Sequence, residues 1–205
     1  MILPIQAFFL VTLVNAAIAA LLQKRDSILR KTFTKMTDFD DCIVCPDDVI
    51  EKHYTLVFCF SKDESNRQIL LGMKKRGFGT GKWNGFGGKI EAGETVEEGA
   101  RRELEEESNL IANSLVRRGY IVFNMLQSKM LMRVHVFTCT DYTGTPQESE
   151  EMKPQWFNVD SLPFELMWPD DKYWMPLLLK ETKVIMGQFT YDDDDTITEH
   201  SVKLI

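Results

Sequence analysis

The sequence predicts an α+β fold in which a mixed β-sheet lies sandwiched between α-helices. Three observations carry that expectation. Alternating apolar runs pair up as hairpins between residues 53 and 138, two segments have helical periodicity, and a last pair of short runs flanks an acidic turn. Interleaved hairpins and helices pack as a sheet with helical cover.

Taken in order, His53 to Phe60 (HYTLVFCF) reads as a buried strand, and Gln68 to Lys74 as its hairpin partner across the polar turn Lys62 to Asn66. A glycine-rich loop, residues 77–88, follows. Residues 95–108 form a helix in which Ala100 and Leu104 mark an apolar stripe among charges. Tyr120 to Leu126 and Met130 to Thr138 make a second hairpin, with Met130, Met132, Val134 and Val136 alternating with Leu131, Arg133, His135 and Phe137. Trp156 to Val159 is a short strand. Tyr173 to Glu181 is a helix with Asp170 or Asp171 as its N-cap and Pro176 tolerated near its start. Gly187 to Tyr191 and Thr196 to Leu204 form a final hairpin around four consecutive aspartates.

The chain has 205 residues, 44% hydrophobic and 27% charged, which suits one globular domain with extra sequence. A net charge of −7 excludes a grip on nucleic-acid backbone, which needs a basic surface. An acidic protein that binds a small polyanion needs a cation between the two. Cys59 and Cys139 lie in apolar alternating runs and read as core residues in a reducing compartment. Cys42 and Cys45 form a C-x-x-C with no second pair or histidine to complete a zinc site, so it reads as incidental.

Residues 1–50 fall outside the domain expected at 51–205. Residues 1–22 carry no charge, and a basic stretch runs from Lys24 to Lys35. Four readings stand: a membrane anchor, a secretory signal cut near Ala17-Ile18-Ala19, an organelle leader, or translation from Met36 leaving a soluble protein. The last is favoured. Membrane contact is expected only if residues 1–22 are retained as an anchor, and the expected compartment is the cytoplasm, with mitochondrial or nuclear pools open.

The chemistry gathers around the first helix. Glu103, Glu106 and Glu107 are three and four residues apart, so their carboxylates share one helical face. Like charges at that spacing cost a few tenths of a kcal/mol per pair, roughly, unless solvated or bound to a cation. Mg²⁺ suits such a set, because it takes carboxylate and phosphate oxygens. Gly85, Gly87 and Gly88 just upstream let backbone approach a ligand closely. A solvent-facing glutamate-rich helix would explain the helix alone, but not the fixed spacing around it. Gly88, Glu94, Arg102-Glu103-Leu104, Glu106-Glu107 and Leu110 match the pattern G-x5-E-x7-R-E-U-x-E-E-x-G-U, with U aliphatic, and the chain resembles the Nudix hydrolase family on that basis. Asn109 stands where the pattern has glycine. Asparagine is the next commonest residue in the left-handed conformation that ends a helix, so Asn109→Gly is expected to stabilise the fold without altering metal affinity.

The resemblance implies the Nudix fold and extends from about Tyr54 to the C-terminus. The runs LLGMKKRGFG (70–79), WNGFGGK (83–89) and WPDD (168–171) resemble the branch of the family that hydrolyses oxidised purine nucleoside triphosphates, of the 8-oxo-dGTP and 2-oxo-dATP type, to monophosphate and pyrophosphate. It implies that Glu103, Glu106, Glu107, the Gly87 carbonyl and Glu151 bind Mg²⁺, for which Mn²⁺ could substitute. Glu107 is the expected base, with Glu106 and Glu151 as rivals. Arg102, grouped with these catalytic residues, is expected to pair structurally with Glu94. The base pocket implied is Asn84, Asp170 and Asp171, lined by Phe78, Phe123 and Trp168, with Thr55 alongside and Lys74 toward the phosphates. Two adjacent aspartates can hardly both ionise there, so one is expected to stay protonated as a donor. Met125 stands where relatives tend to have another aromatic, which leaves the base preference open. The implied partner is a free nucleotide, the implied state a monomer. Alternatives are a Nudix hydrolase of another modified nucleotide and a nucleotide-sensing module without turnover.

Overall fold

The computed structural model describes residues 50–193 and 195–205. The apolar leader, the basic stretch and the Cys42–Cys45 pair lie outside the described residues. In chain order the strands are β1 (Ile50–Phe60), β2 (Gln68–Lys74), β3 (Trp83–Asn84), β4 (Ile111–Ala112), β5 (Val116–Met125), β6 (Met130–Cys139), β7 (Tyr142–Thr143), β8 (Met152–Asn158), β9 (Ile185–Tyr191) and β10 (Ile197–Leu204). Among the described residues the α-helices are α1 (Val96–Ser108) and α2 (Asp171–Lys180). None of the described helices is long and apolar enough to cross a membrane.

The main sheet runs β10-β9-β5-β6-β1-β2-β3, with β8 added along β2, and β4 with β7 forms a separate ladder. It is mixed: β1 pairs with β6 and β5 with β9 in parallel, and the hairpins between them are antiparallel. Alternation along β1 sends Leu56, Phe58 and Phe60 to one face and Val57 and Cys59 to the other, and each face buries a different helix. On the first face they meet Trp174, Met175 and Leu178 of α2. On the second, Val57, Cys59, Leu70 and Cys139 meet Ala100 and Leu104 of α1. Both cysteines are buried free thiols.

Two local departures have clear causes. β8 begins earlier than expected, at Met152, and carries Pro154 opposite Gly72; an edge strand tolerates the missing amide. Pro176 sits sixth in α2 rather than near its start. It leaves the Lys172 carbonyl without its intrahelical donor, a group that exposed Lys172 presents to water.

Helix α1 opens with a full capping box: Thr95 accepts from the Glu98 amide and the Glu98 carboxylate accepts from the Thr95 amide. It ends at Asn109 with φ 62° and ψ 20°, the left-handed conformation expected there. The Asn109 side-chain amide also donates to the Thr145 carbonyl at 3.2 Å. Asn109→Gly would relieve the backbone but lose that bond, so the expected gain shrinks to within about 0.5 kcal/mol. Chemical denaturation of the two proteins checks this.

Beyond α1, the same sheet face carries a polar chain. The Arg117 guanidinium can only donate, so His135 Nδ1 accepts from it at 3.1 Å. His135 Nε2 then carries the proton and donates to His53 Nδ1 at 3.2 Å, while His53 Nε2 faces Glu51 at 3.6 Å and Arg133 pairs with the same carboxylate at 2.9 Å. Burial, then the nearby Arg117, His53 and Arg133 charges, push the His135 pKa down to about 4. The unfolded chain therefore takes up this proton first, near pH 6.5 or so. Stability from His135 is present above about pH 6.5 and is lost as pH falls toward about 4. Melting temperature should fall between about pH 7 and 5, with a shallower slope in His135→Gln; equal slopes would contradict the assignment.

Candidate active site

The site is built where β1 and β2 part. They pair only at Cys59 with Leu70 and Phe60 with Ile69. Beyond that point the glycine-rich segment wedges between them. Trp83 and Asn84 pair with Met73 and Gly72 of β2, while Phe86 and Lys89 bridge to Val57 and Tyr54 of β1. The approach is so close that a Cβ on Gly87 would lie 2.0 Å from the Thr55 carbonyl oxygen. Phe86 and Gly88 turn their carbonyls to β1, accepting from Val57 and Thr55. Alternation therefore aims the Gly87 peptide groups away from β1, and its N–H donates to Glu107 Oε2 at 2.9 Å. A Cβ on Gly88 would sit 2.5 Å from Glu103 Oε1, so that carboxylate rests directly on the glycine backbone.

The three glutamates thus share one face of α1 in different settings. Glu107 is buried, and burial raises its pKa against the opposing pull of the Gly87 amide and Lys74. Burial likewise raises Glu103. Glu106 is more exposed and bonds Arg102 at 3.2 Å. Lys74 stands between two acids, 3.1 Å from Glu107 and 2.7 Å from Glu151. Burial alone would lower its pKa, but hydrogen bonds and charge from Glu151 and Glu107 outweigh that and raise it. Lys74 in turn holds Glu151 below the usual carboxylate range. Arg102 grips Glu94 at 2.6 and 3.1 Å, reaches Glu103 at 2.8 Å, and donates to the Lys89 carbonyl at 3.2 Å. It ties the loop before α1 to the helix, the structural pairing expected of it, and the Arg102 bonds, with the Glu91 amide donating at 2.9 Å, lower Glu94 to about 2.

Among the described residues no three acidic, histidine or cysteine side chains converge closely enough to hold a metal by themselves. Each glutamate is turned to Lys74, Arg102 or the glycine backbone instead. The donor set still fits a hard cation. It offers carboxylate oxygens of Glu107 and Glu103 against the Gly87–Gly88 backbone, and Mg²⁺ is usually held by one or two carboxylates together with substrate phosphates.

Beside these groups opens a cavity of about 530 Å³ between the wedge, β1, β5, β6 and the start of α2. It brings Thr55, Lys74, Phe78, Asn84, Gly87, Phe123, Met125, Glu151, Trp168, Asp170 and Asp171 to one hollow. Glu103, Glu106 and Glu107 adjoin it rather than line it, Glu107 through its bond to the lining Lys74. Asn84 Oδ1 accepts from the Gly85 amide at 2.8 Å, which fixes its orientation. Thr55 is buried, and its hydroxyl has no partner among the described residues. Asp170 takes the N-cap position of α2 but makes no capping bond. It accepts instead from Trp174 Nε1 at 2.8 Å and from the Tyr191 hydroxyl at 2.6 Å, while Asp171 accepts from the Trp168 amide at 3.0 Å. Burial raises both pKa values, Asp171 well above the usual range with the Asp170 charge adding to it. Sequence reasoning missed Trp174 and Tyr191. Trp174 had a usable signal, four residues after Asp170 on one helix face; Tyr191 had none, since only the fold carries β9 there.

The site defines a class of protein: the NUDIX domain profile matches residues 52–178, and the chain belongs to the NUDIX family. It is 52% identical over 150 residues to the mouse (Mus musculus) oxidized purine nucleoside triphosphate hydrolase, covering 73% of this chain and 93% of that one. It is also 52% identical over 135 residues to the zebrafish (Danio rerio) protein of the same name, covering 66% and 86%. Among solved structures, a MutT protein from Bacillus halodurans superposes with a TM-score of 0.64 at 26% identity, covering 74% of this chain and 97% of that one. The family resemblance and the α+β fold expected from the sequence are both borne out. Enzymes of this family generally use divalent cations.

Proposed function

We propose that this chain hydrolyses oxidised purine nucleoside triphosphates of the 8-oxo-dGTP and 2-oxo-dATP type to the monophosphate and pyrophosphate, with Mg²⁺ as the cation and Mn²⁺ as a substitute. The observation that carries the reading is one continuous hollow joining the Asn84, Asp170 and Asp171 group to Lys74, Gly87 and Glu151. The names of the mouse and zebrafish relatives support the substrate class.

The purine stacks on Trp168 between Phe78 and Phe123, with its edge read by Asn84 and the two aspartates. Asp170 receives two donors and suits the ionised form; Asp171, with one backbone donor beside a charged neighbour, is the protonated member. One donor and one acceptor side by side can serve two differently oxidised bases. Lys74 meets the phosphates, and Glu107 takes the proton of the attacking water. Glu103, Glu106, Glu107, Glu151 and the Gly87 carbonyl would hold Mg²⁺, which when bound neutralises phosphate oxygens and makes phosphorus more electrophilic. Arg102 keeps Glu103 and Glu106 in place.

The domain acts on free nucleotide as a monomer; a net charge of −7 does not favour nucleic acid, and buried free thiols suit the reducing cytoplasm. The decisive experiment offers 8-oxo-dGTP, 2-oxo-dATP, dGTP and dATP with Mg²⁺ and detects products by mass. Faster release of pyrophosphate from the oxidised pair is expected. Equal rates for dGTP and 8-oxo-dGTP would remove the substrate assignment, and tight binding without turnover would favour a sensing module.

A further inference from the structure

One residue of the cavity wall has no part in that account. Lys82 lies midway along the glycine-rich loop, and its ammonium lies 5.0 Å from the centroid of the Trp168 ring. The same loop touches that indole twice more. Phe78 stacks on it with centroids 4.8 Å apart and planes 28° off parallel, and a Cβ on Gly79 would lie 2.8 Å from Trp168 Cζ2. The loop can do this because Gly77, Gly79 and Gly81 all adopt positive φ, between 77° and 85°. It is braced on itself through Thr80 to the Gly77 carbonyl and on β2 through the Gly81 amide to the Lys74 carbonyl.

What holds Lys82 over the ring lies on the far side of the chain. Its ammonium pairs with Asp195 at 2.9 Å, in the acidic turn between β9 and β10. That turn is itself fixed, since the Asp193 carboxylate accepts from the Asp195 and Thr196 amides at 3.0 and 2.7 Å. We infer that Lys82, anchored by Asp195, is a positioning residue that clamps the Trp168 indole at the mouth of the base pocket. It acts through Trp168 and touches no reacting atom. The inference rests on the proposed function only in assigning the indole to a purine.

The test compares the full chain with Lys82→Met, Lys82→Arg and Asp195→Asn. A cation over an indole at a partly exposed site is worth a several-fold change in affinity, so Lys82→Met should raise KM for 8-oxo-dGTP by about 3- to 5-fold with kcat within about twofold. Asp195→Asn should move KM in the same direction by less, and Lys82→Arg should restore it. A second readout needs no nucleotide: acrylamide quenching of Trp168 emission, isolated by subtracting the Trp168→Phe chain, should increase in Lys82→Met and Asp195→Asn. A KM rise with unchanged quenching would place the Lys82 effect on the substrate itself or on Asp171, whose carboxyl its charge reaches, and overturn the clamp. So would a fall in kcat with KM kept, or a KM rise that Asp195→Asn does not share. If the parent chain hydrolyses no oxidised purine triphosphate, the substrate reading fails, and the quenching result still decides the clamp.

Discussion

Glu107→Gln is expected to lower kcat for pyrophosphate release by about 10³-fold, the middle of the range for removing a general base. Glu107 is the most buried of the three helix glutamates, and it alone bonds both the glycine wedge and Lys74. Glutamine keeps an oxygen for the Gly87 amide, but its amide nitrogen would face the Lys74 ammonium. A stability cost of about 1–2 kcal/mol should accompany the loss of activity, too little to unfold a domain of this size. Glu106→Gln should cost less in rate, because Glu106 is mostly exposed and, among the described residues, bonds only Arg102. Single-turnover assays on folded variants check the ranking. A drop under tenfold for Glu107→Gln, with a larger one for Glu151→Gln, would transfer the base role to Glu151.

What the sequence could reveal follows from which constraints are local. The carboxylate spacing, the glycines and the Asn109 terminus were legible because a helix turn and a tight backbone approach restrict residue types at fixed separations. The strands of the first two hairpins were legible through alternation. Parallel pairing of β1 with β6 and of β5 with β9 was not, since register between distant strands leaves no periodic mark. Lys74 shows the same limit at the site. Nothing local in Lys-Lys-Arg names its partner, and only the antiparallel β2–β8 ladder, ending at Lys74 and Met152, sets it against Glu151. Asp170 was ambiguous for another reason. Aspartate before a helix is the expected cap, and the same residue serves as a buried acceptor once Trp174 and Tyr191 surround it.

That aspartate pair yields a stability–activity contrast. Asp171 accepts one backbone bond and lies beside a charged neighbour in a buried pocket, so its ionised form is disfavoured. Its folded pKa stands above the unfolded value near 3.9 or so, so the folded state holds the extra proton, and stability falls as pH rises through that window. Asparagine does not titrate and keeps an oxygen for the Trp168 amide. Asp171→Asn should therefore raise the melting temperature at about pH 8 by roughly 2–4 °C, on the order of 1 kcal/mol, with the gain vanishing toward about pH 4. It should also cut kcat/KM for 8-oxo-dGTP by at least about tenfold, through loss of a positioned hydrogen bond to the base. Asp170→Asn should do the opposite to stability at every pH, because its amide would meet either the Trp174 N–H or the Tyr191 hydroxyl, both set to donate. Thermal melts of the two variants across pH distinguish the roles: a stabilised Asp170→Asn and a weakened Asp171→Asn would mean the proton sits on Asp170.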